Sequence, residues 1–182
     1  MQVVIESFDN VGSFDQKIII QQVFDIFIDS SNRKTFEGMD DKRKFFECWV
    51  APYIEKLSKH LWLALDEKQN ILGYLTGCPD TIEAMKFLKY PGINLFNDFF
   101  KTYPAHLHIN CRSDARGLGI GGKLLNTFFN QLITLNIKGG HIVTSSTAPN
   151  IYFYQKMGMV ITSERELMGE RVVLMAKSFN TP

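Results

Sequence analysis

The stretch Arg116-Gly117-Leu118-Gly119-Ile120-Gly121-Gly122-Lys123 places four glycines within six residues, Gly117–Gly122. A strand, Ala105–Cys111, precedes it. A helical stripe of Ile120, Leu124, Leu125, Phe128 and Leu132 follows. The chain must therefore turn tightly from a strand into a helix at a place where backbone, not side chain, faces outward. The first N–H groups of a helix have no acceptor inside it, and they carry the positive end of its dipole. Such a turn is an anion cradle. Packing alone would not require four glycines, each of which loses chain entropy on folding.

The rest of the pattern builds an α/β domain around that turn. Val3–Ile5 reads as a short strand. Ser13 and Gln16 form a capping box ahead of a stripe of Ile20, Val23, Phe24 and Phe27. Asp40 opens a second helix with the stripe Phe46, Trp49, Val50 and Tyr53, which Pro52 should kink or divide. The period then changes. Leu61–Leu65 and Ile71–Leu75 are joined by Asp66–Asn70 as an antiparallel hairpin. Helical pieces are expected around Ala84–Leu88 and Leu95–Phe100, broken at Pro91-Gly92. The aromatic residues there (Phe87, Tyr90, Phe96, Phe99, Phe100, Tyr103) suit a satellite core or a ligand wall equally. Ala105–Cys111 is a strand, Gly117–Leu135 a helix and Ile142–Ser145 a strand. Pro149 sits near the start of a short helix that Gly158 ends. Val160–Thr162 and Val172–Ala176 complete a mixed sheet.

Three anionic ligands use cradles of this kind. Gly117, Gly122 and Lys123 have P-loop spacing, but Leu124 stands where a magnesium-binding hydroxyl belongs. A dinucleotide fingerprint needs a further glycine and an acidic residue about 20 positions on, and neither is in place. The third pattern fits better. Arg116-x-x-Gly119-x-Gly121 resembles the (Q/R)xxGx(G/A) pyrophosphate loop of the GNAT-superfamily N-acetyltransferases. Asn150-Ile151-Tyr152-Phe153-Tyr154-Gln155-Lys156-Met157-Gly158-Met159 resembles their AxxFYxxxGF helix. Both matches occur in order with a strand between them, over about a third of the chain. His106-Leu107-His108-Ile109-Asn110 further resembles a bacterial branch written HLHIDxxPxxQ, similar to acetyltransferase-like domains of O-GlcNAc-processing hydrolases. The chain departs from that pattern at Asn110 (for Asp), Ser113 (for Pro), Arg116 (for Gln), Asn150 (for Ala) and Met159 (for Phe).

The resemblance implies a mostly antiparallel sheet splayed in the middle, flanked by helices on both faces, with acetyl-CoA as co-substrate in the gap. It implies transfer of acetyl to a primary amine by direct attack in a ternary complex. The coenzyme-binding residues it assigns are Arg116, Gly117, Leu118, Gly119, Ile120, Gly121 and Gly122 for the pyrophosphate, Ile109 and Cys111 for the pantetheine arm, and Asn150. Tyr154 matches the tyrosine that protonates the leaving thiolate. A phenol, ordinarily near pKa 10, can donate to a thiolate of similar basicity. His108 and His106 alternate on one strand face and titrate near neutrality, so either suits a general base, with His108 preferred. Structural histidines bonded within the sheet are the competing reading. A metal centre of these two with His141 lacks its acidic ligand, and no metal is expected. Cys111 has no base beside it in sequence and reads as a small residue at a bulge rather than an acyl-accepting nucleophile.

Composition narrows the class. The 182 residues carry 20 Lys and Arg against 19 Asp and Glu, a net charge of +1, which provides no general field for nucleic acid or anionic lipid. No apolar run approaches a membrane span and no basic leader precedes one, so a cytoplasmic single domain over residues 1–182 is expected. Three cysteines without a CxxC argue for a reducing compartment. The acceptor, a small-molecule amine or a peptide amine, has no motif, and a homodimer is left open. A non-catalytic acyl-CoA-binding module with the same fold is the alternative from another functional class.

Overall fold

The computed structural model describes residues 2–11 and 16–179. Its strands are β1 (Val4–Ser7), β2 (Leu61–Leu65), β3 (Ile71–Cys78), β4 (Ala105–Cys111), β5 (Gly139–Ser145), β6 (Val160–Leu167) and β7 (Glu170–Ser178). Its helices are α1 (Gln16–Ser30), α2 (Met39–Trp49), α3 (Ala51–Lys56), α4 (Thr81–Ala84), α5 (Ile120–Thr134) and α6 (Ile151–Lys156). The strands pair in the order β1-β2-β3-β4-β5-β7-β6, a mostly antiparallel mixed sheet. The parallel register of β4 on β5 consists of Ala105↔Gly140 and His106↔His141. None of the described helices is long and apolar enough to cross a membrane.

The described residues fall into two compact units, one drawn from Met1–Gly77 and His108–Phe128, the other from Cys78–Leu107 and Phe129–Pro182. In the first, β1, β2 and β3 form an antiparallel meander, with Ile5↔Ala64 and Trp62↔Leu75 opposite one another. The β2–β3 turn is built by Asp66, whose carboxylate accepts from the N–H groups of Lys68 and Asn70 and from the Asn70 amide. Helix α1 buries Ile19, Val23, Ile26 and Phe27. The expected stripe placed Ile20 and Phe24 on that face; both pack against the core but stay partly open. Ser13, half of the expected capping box, lies outside the described residues. The second helix does divide at Val50, with Pro52 in the first turn of α3 where its missing N–H is harmless. Tyr74 and Gly77 of β3 point to opposite faces. Tyr74 lies in the core with Phe27 and Phe46. A Cβ at Gly77 would stand 2.5 Å from the Phe128 ring of α5. Helices therefore cover both faces of this unit's strands.

In the second unit β7 pairs with β5 (Ile142↔Met175) and with β6 (Arg165↔Val172). Strands β5, β6 and β7 are all longer than the sequence indicates. Phe96, Phe100, Val172, Leu174 and Ala176 form its core, with Phe99 and Tyr103 packed against it. These members of the aromatic stretch are thus a satellite core. Arg165 fastens the stretch to β6, donating to Leu95 O and to the Asp98 carboxylate and lying over the Phe96 ring. Helix α4 starts earlier than expected. Asp80 caps it by accepting from the N–H groups of Ile82 and Glu83, and it ends at Ala84.

Candidate active site

The glycine turn is an open one. Gly117 and Gly119 sit at φ +80° and +77°, the left-handed region, and a Cβ on either would meet no atom within 4 Å. Backbone conformation, not crowding, therefore demands glycine there. Helix α5 begins at Ile120, three residues later than the sequence suggests, so Gly117–Gly119 lie in the turn. Lys123 N–H donates to Gly119 O, closing the first helical turn. The N–H groups of Ile120, Gly121 and Gly122 precede it and have no intrahelical acceptor. Ile120 is buried and anchors the helix, while Leu118 is exposed. Arg116 leads in, its guanidinium donating to Ser30 Oγ at the end of α1 (3.3 Å) and to Cys111 O (3.4 Å). Open space before two left-handed glycines, with consecutive free donors behind them, fits a pyrophosphate.

Strand β4 leads into this turn. In the first unit its residues 108–111 lie close against β3. A Cβ at Gly73 would be 2.9 Å from Asn110 O and 3.2 Å from Cys111 Cα. Thr76 Oγ1 donates to His108 O (3.5 Å) and Arg112 N–H to Leu72 O (2.9 Å). Asn110, where the branch pattern has a carboxylate, donates its amide to the hydroxyl of the fully buried Tyr74 (2.9 Å). Burial pushes the Cys111 thiol up to about 11, with Arg116 pulling less strongly the other way. The thiol stays protonated and is no nucleophile at neutral pH.

The histidines have different surroundings. His108 lies between Phe27 and Trp49, each 6.4 Å away between ring centroids. Part of the residue remains exposed, yet its Nδ1 is covered and has no hydrogen-bond partner. Loss of hydration lowers its pKa to about 4, so the ring is neutral at pH 7. In the second unit His106 is buried with Nδ1 2.9 Å from Thr81 Oγ1. Thr81 Oγ1 donates to Pro104 O (2.7 Å), which assigns the Nδ1 hydrogen to His106. His141 donates from Nδ1 to Tyr103 O (2.7 Å) and stacks on Phe100 at 5.0 Å. Among the described residues no group of three or more His, Cys, Asp and Glu is arranged to hold a metal.

Tyr154 belongs to the second unit. Asn150 is the N-cap of α6 and accepts from Thr144 Oγ1 of β5 through its side chain (3.1 Å). Tyr154 is 3% exposed and meets Phe153 edge-on at 5.1 Å. Gly158, at φ +81°, ends the helix as expected, and Met159 fills the aromatic position of the motif as a buried residue. Sequence reasoning missed Thr81, Thr144 and Lys177, whose partners lie 25, 6 and 20 residues away. It also missed a cleft of about 260 Å³ in the first unit, between Asp25 and Asp29 of α1 and Arg112 and Ser113 after β4.

In chain order, a strand feeds an open glycine turn at the start of a long helix, and a short tyrosine-bearing helix follows after one further strand. The sequence pattern of the acetyltransferase (GNAT) family matches residues 20–159, and the chain belongs to that family. Solved structures agree in fold. SsHAT is 20% identical with a TM-score of 0.73, covering 98% of each chain. A phosphinothricin acetyltransferase from Sinorhizobium meliloti, solved in complex with AcCoA, is 15% identical at 0.65, covering 98% of this chain and 89% of its own. The ribosomal-protein-S18-alanine N-acetyltransferase of Escherichia coli is 12% identical at 0.60, covering 97% and 94%. No curated protein matches the sequence.

Proposed function

We propose that the protein is an acetyl-CoA-dependent N-acetyltransferase, acting on a primary amine by direct attack in a ternary complex. The observation that carries this is the open left-handed glycine turn at the start of α5. Bound acetyl-CoA would supply a thioester: the amine nitrogen bonds to its carbonyl carbon, the C–S bond breaks, and an amide and the free thiol result. The N–H groups of Gly117, Leu118, Gly119, Ile120, Gly121 and Gly122, with Arg116, hold the pyrophosphate. Main-chain groups of Ile109 and Cys111 align the pantetheine arm and polarise the carbonyl. Asn150 contributes at the start of α6. Tyr154 gives its phenolic proton to the departing sulfur. The amine must lose a proton, and His108, neutral at pH 7, takes that role ahead of His106, whose Nδ1 is engaged with Thr81. Residues 1–182 act as one acetyltransferase domain in a reducing, cytoplasmic setting.

Calorimetric titration with acetyl-CoA, with Mg-ATP and NADH as controls, tests the cradle. Micromolar affinity for acetyl-CoA alone is expected; affinity for Mg-ATP instead would overturn the reading. Turnover is then followed as release of CoA thiol with spermidine, tryptamine, lysine and a short peptide as amines. Tyr154→Phe should lower kcat on the order of a hundredfold with acetyl-CoA affinity unchanged.

A second reading has its own support. The covered Nδ1 of His108 and the engagement of Asn110 with Tyr74 leave this part of β4 without a carboxylate or an open imidazole nitrogen at that atom. In that reading, which also fits the HLHID-type branch, the domain binds acyl-CoA and has lost the chemistry. Acetyl-CoA binding with no CoA thiol released from any amine of the panel, by wild type or Tyr154→Phe, would favour it.

A further inference from the structure

We propose that Lys177 is a positioning residue for Tyr154, setting the seat of α6 through the carbonyl of Met157. The inference rests on the acid role given to Tyr154 above.

A helix of six residues has little stability of its own, so its placement is decided by what holds its ends. Both ends of α6 are held by side chains from strands of its own unit. At the N-terminal end Thr144 of β5 donates to the Asn150 side chain. At the C-terminal end the Lys177 ammonium of β7 donates to Met157 O at 2.9 Å. Three carbonyls of the preceding turn are already occupied: Phe153 O and Tyr154 O accept from Met157 N–H, Gln155 O from Gly158 N–H, and Tyr154 O again from Met159 N–H. Met157 O thus receives its donor from Lys177. A cation is electrostatically suited to that end of a helix.

The ammonium is seated, not trailing in water. Lys177 is half-buried, and its Nζ lies 5.1 Å from the centroid of the Phe129 ring. A Cβ on Gly158 would stand 3.1 Å from Nζ. That glycine therefore makes the left-handed turn and also leaves room for the lysine. Its register on β5, Gly140↔Lys177, fixes the lysine backbone. Tyr154 lies one turn before Met157, and its own carbonyl is part of the same terminal bonding. Movement of this helix end translates directly into movement of the phenol.

The test is a double-mutant cycle read by CoA thiol release with the fastest amine of the panel. Lys177→Met keeps the chain length and removes the donor and the charge. Its kcat should fall about tenfold, with KM and calorimetric affinity for acetyl-CoA unchanged. Lys177→Gln, which keeps an N–H for Met157 O, should recover most of that loss; if Lys177→Met does not fold, Lys177→Ala, which also lacks the donor, carries the cycle with the same expected loss. In a Tyr154→Phe background the same Lys177 substitution should leave kcat unchanged, because there is no acid left to misplace. An unaltered kcat in Lys177→Met, or an equal fractional loss in both backgrounds, would overturn the proposal. Failure of the acid role itself shows separately, as a Tyr154→Phe enzyme as fast as wild type.

Discussion

His108 and His141 are held near a pKa of about 4 by burial, against an ordinary value of 6.5; for His141 the bond to Tyr103 O opposes this less strongly. The folded protein therefore refuses protons that the unfolded chain accepts. Stability is complete above about pH 6.5 and falls as pH drops through the window toward 4. Urea midpoints taken across that window should decline, and His108→Phe, which has no ring nitrogen to desolvate, should decline less steeply. A midpoint independent of pH for wild type would contradict the burial of these rings. At this scale the strand-to-helix glycine turn and the short helix that carries Tyr154 were legible in the sequence, because each lies in a contiguous motif. The Thr81–His106 bond was not, since it joins residues 25 apart and no local pattern records it.

Among the elements, the turn before α5 makes the sharper demand on conformation. Gly119→Ala puts a Cβ into open space but forces a left-handed L-residue, at a cost of about 1 kcal/mol. The variant should also lose acetyl-CoA affinity, readable in the same calorimeter. The β6–β7 hairpin presents the opposite case. Its two-residue loop, Met168-Gly169, has both φ values positive, +53° and +82°, and Met168 is 86% exposed. Met168→Asn should therefore stabilise the protein by roughly 0.5 kcal/mol in urea titration, since asparagine tolerates that backbone and no packing is lost. Element boundaries were read unevenly for physical reasons. The seven residues of β4 were placed to the residue because Ala105, Leu107, Ile109 and Cys111 alternate with polar residues between Pro104 and Arg112. The expected strand Val160–Thr162 stops short of β6 because Ser163, Glu164, Arg165 and Glu166 are polar and carry no apolar alternation, although β7 supplies them with backbone partners. In α1 apolar residues crowd more than one face, so Ile19 and Ile26 could not be told from Ile20 and Phe24 as the buried set.

For the whole molecule, the path of the chain matters more than any single contact. It passes between the two compact units within β3, between Gly77 and Cys78, within β4, between Leu107 and His108, and within α5, between Phe128 and Phe129. Three continuous elements therefore contribute residues to both units, so unfolding of either interrupts a strand or helix that continues beyond it. Trp49 and Trp62 both belong to the first unit, so their fluorescence reports on that unit while far-ultraviolet dichroism reports on all elements. The two thermal transitions should coincide; a separate earlier loss of dichroism would show the units unfolding independently. The core of the second unit has a further consequence for biosynthesis. Phe96 and Phe100 are covered by Val172, Leu174 and Ala176, which leave the ribosome more than seventy residues later. At about 5–20 residues per second, an aromatic segment is left uncovered on the nascent chain for several seconds, which makes it a natural client for a chaperone.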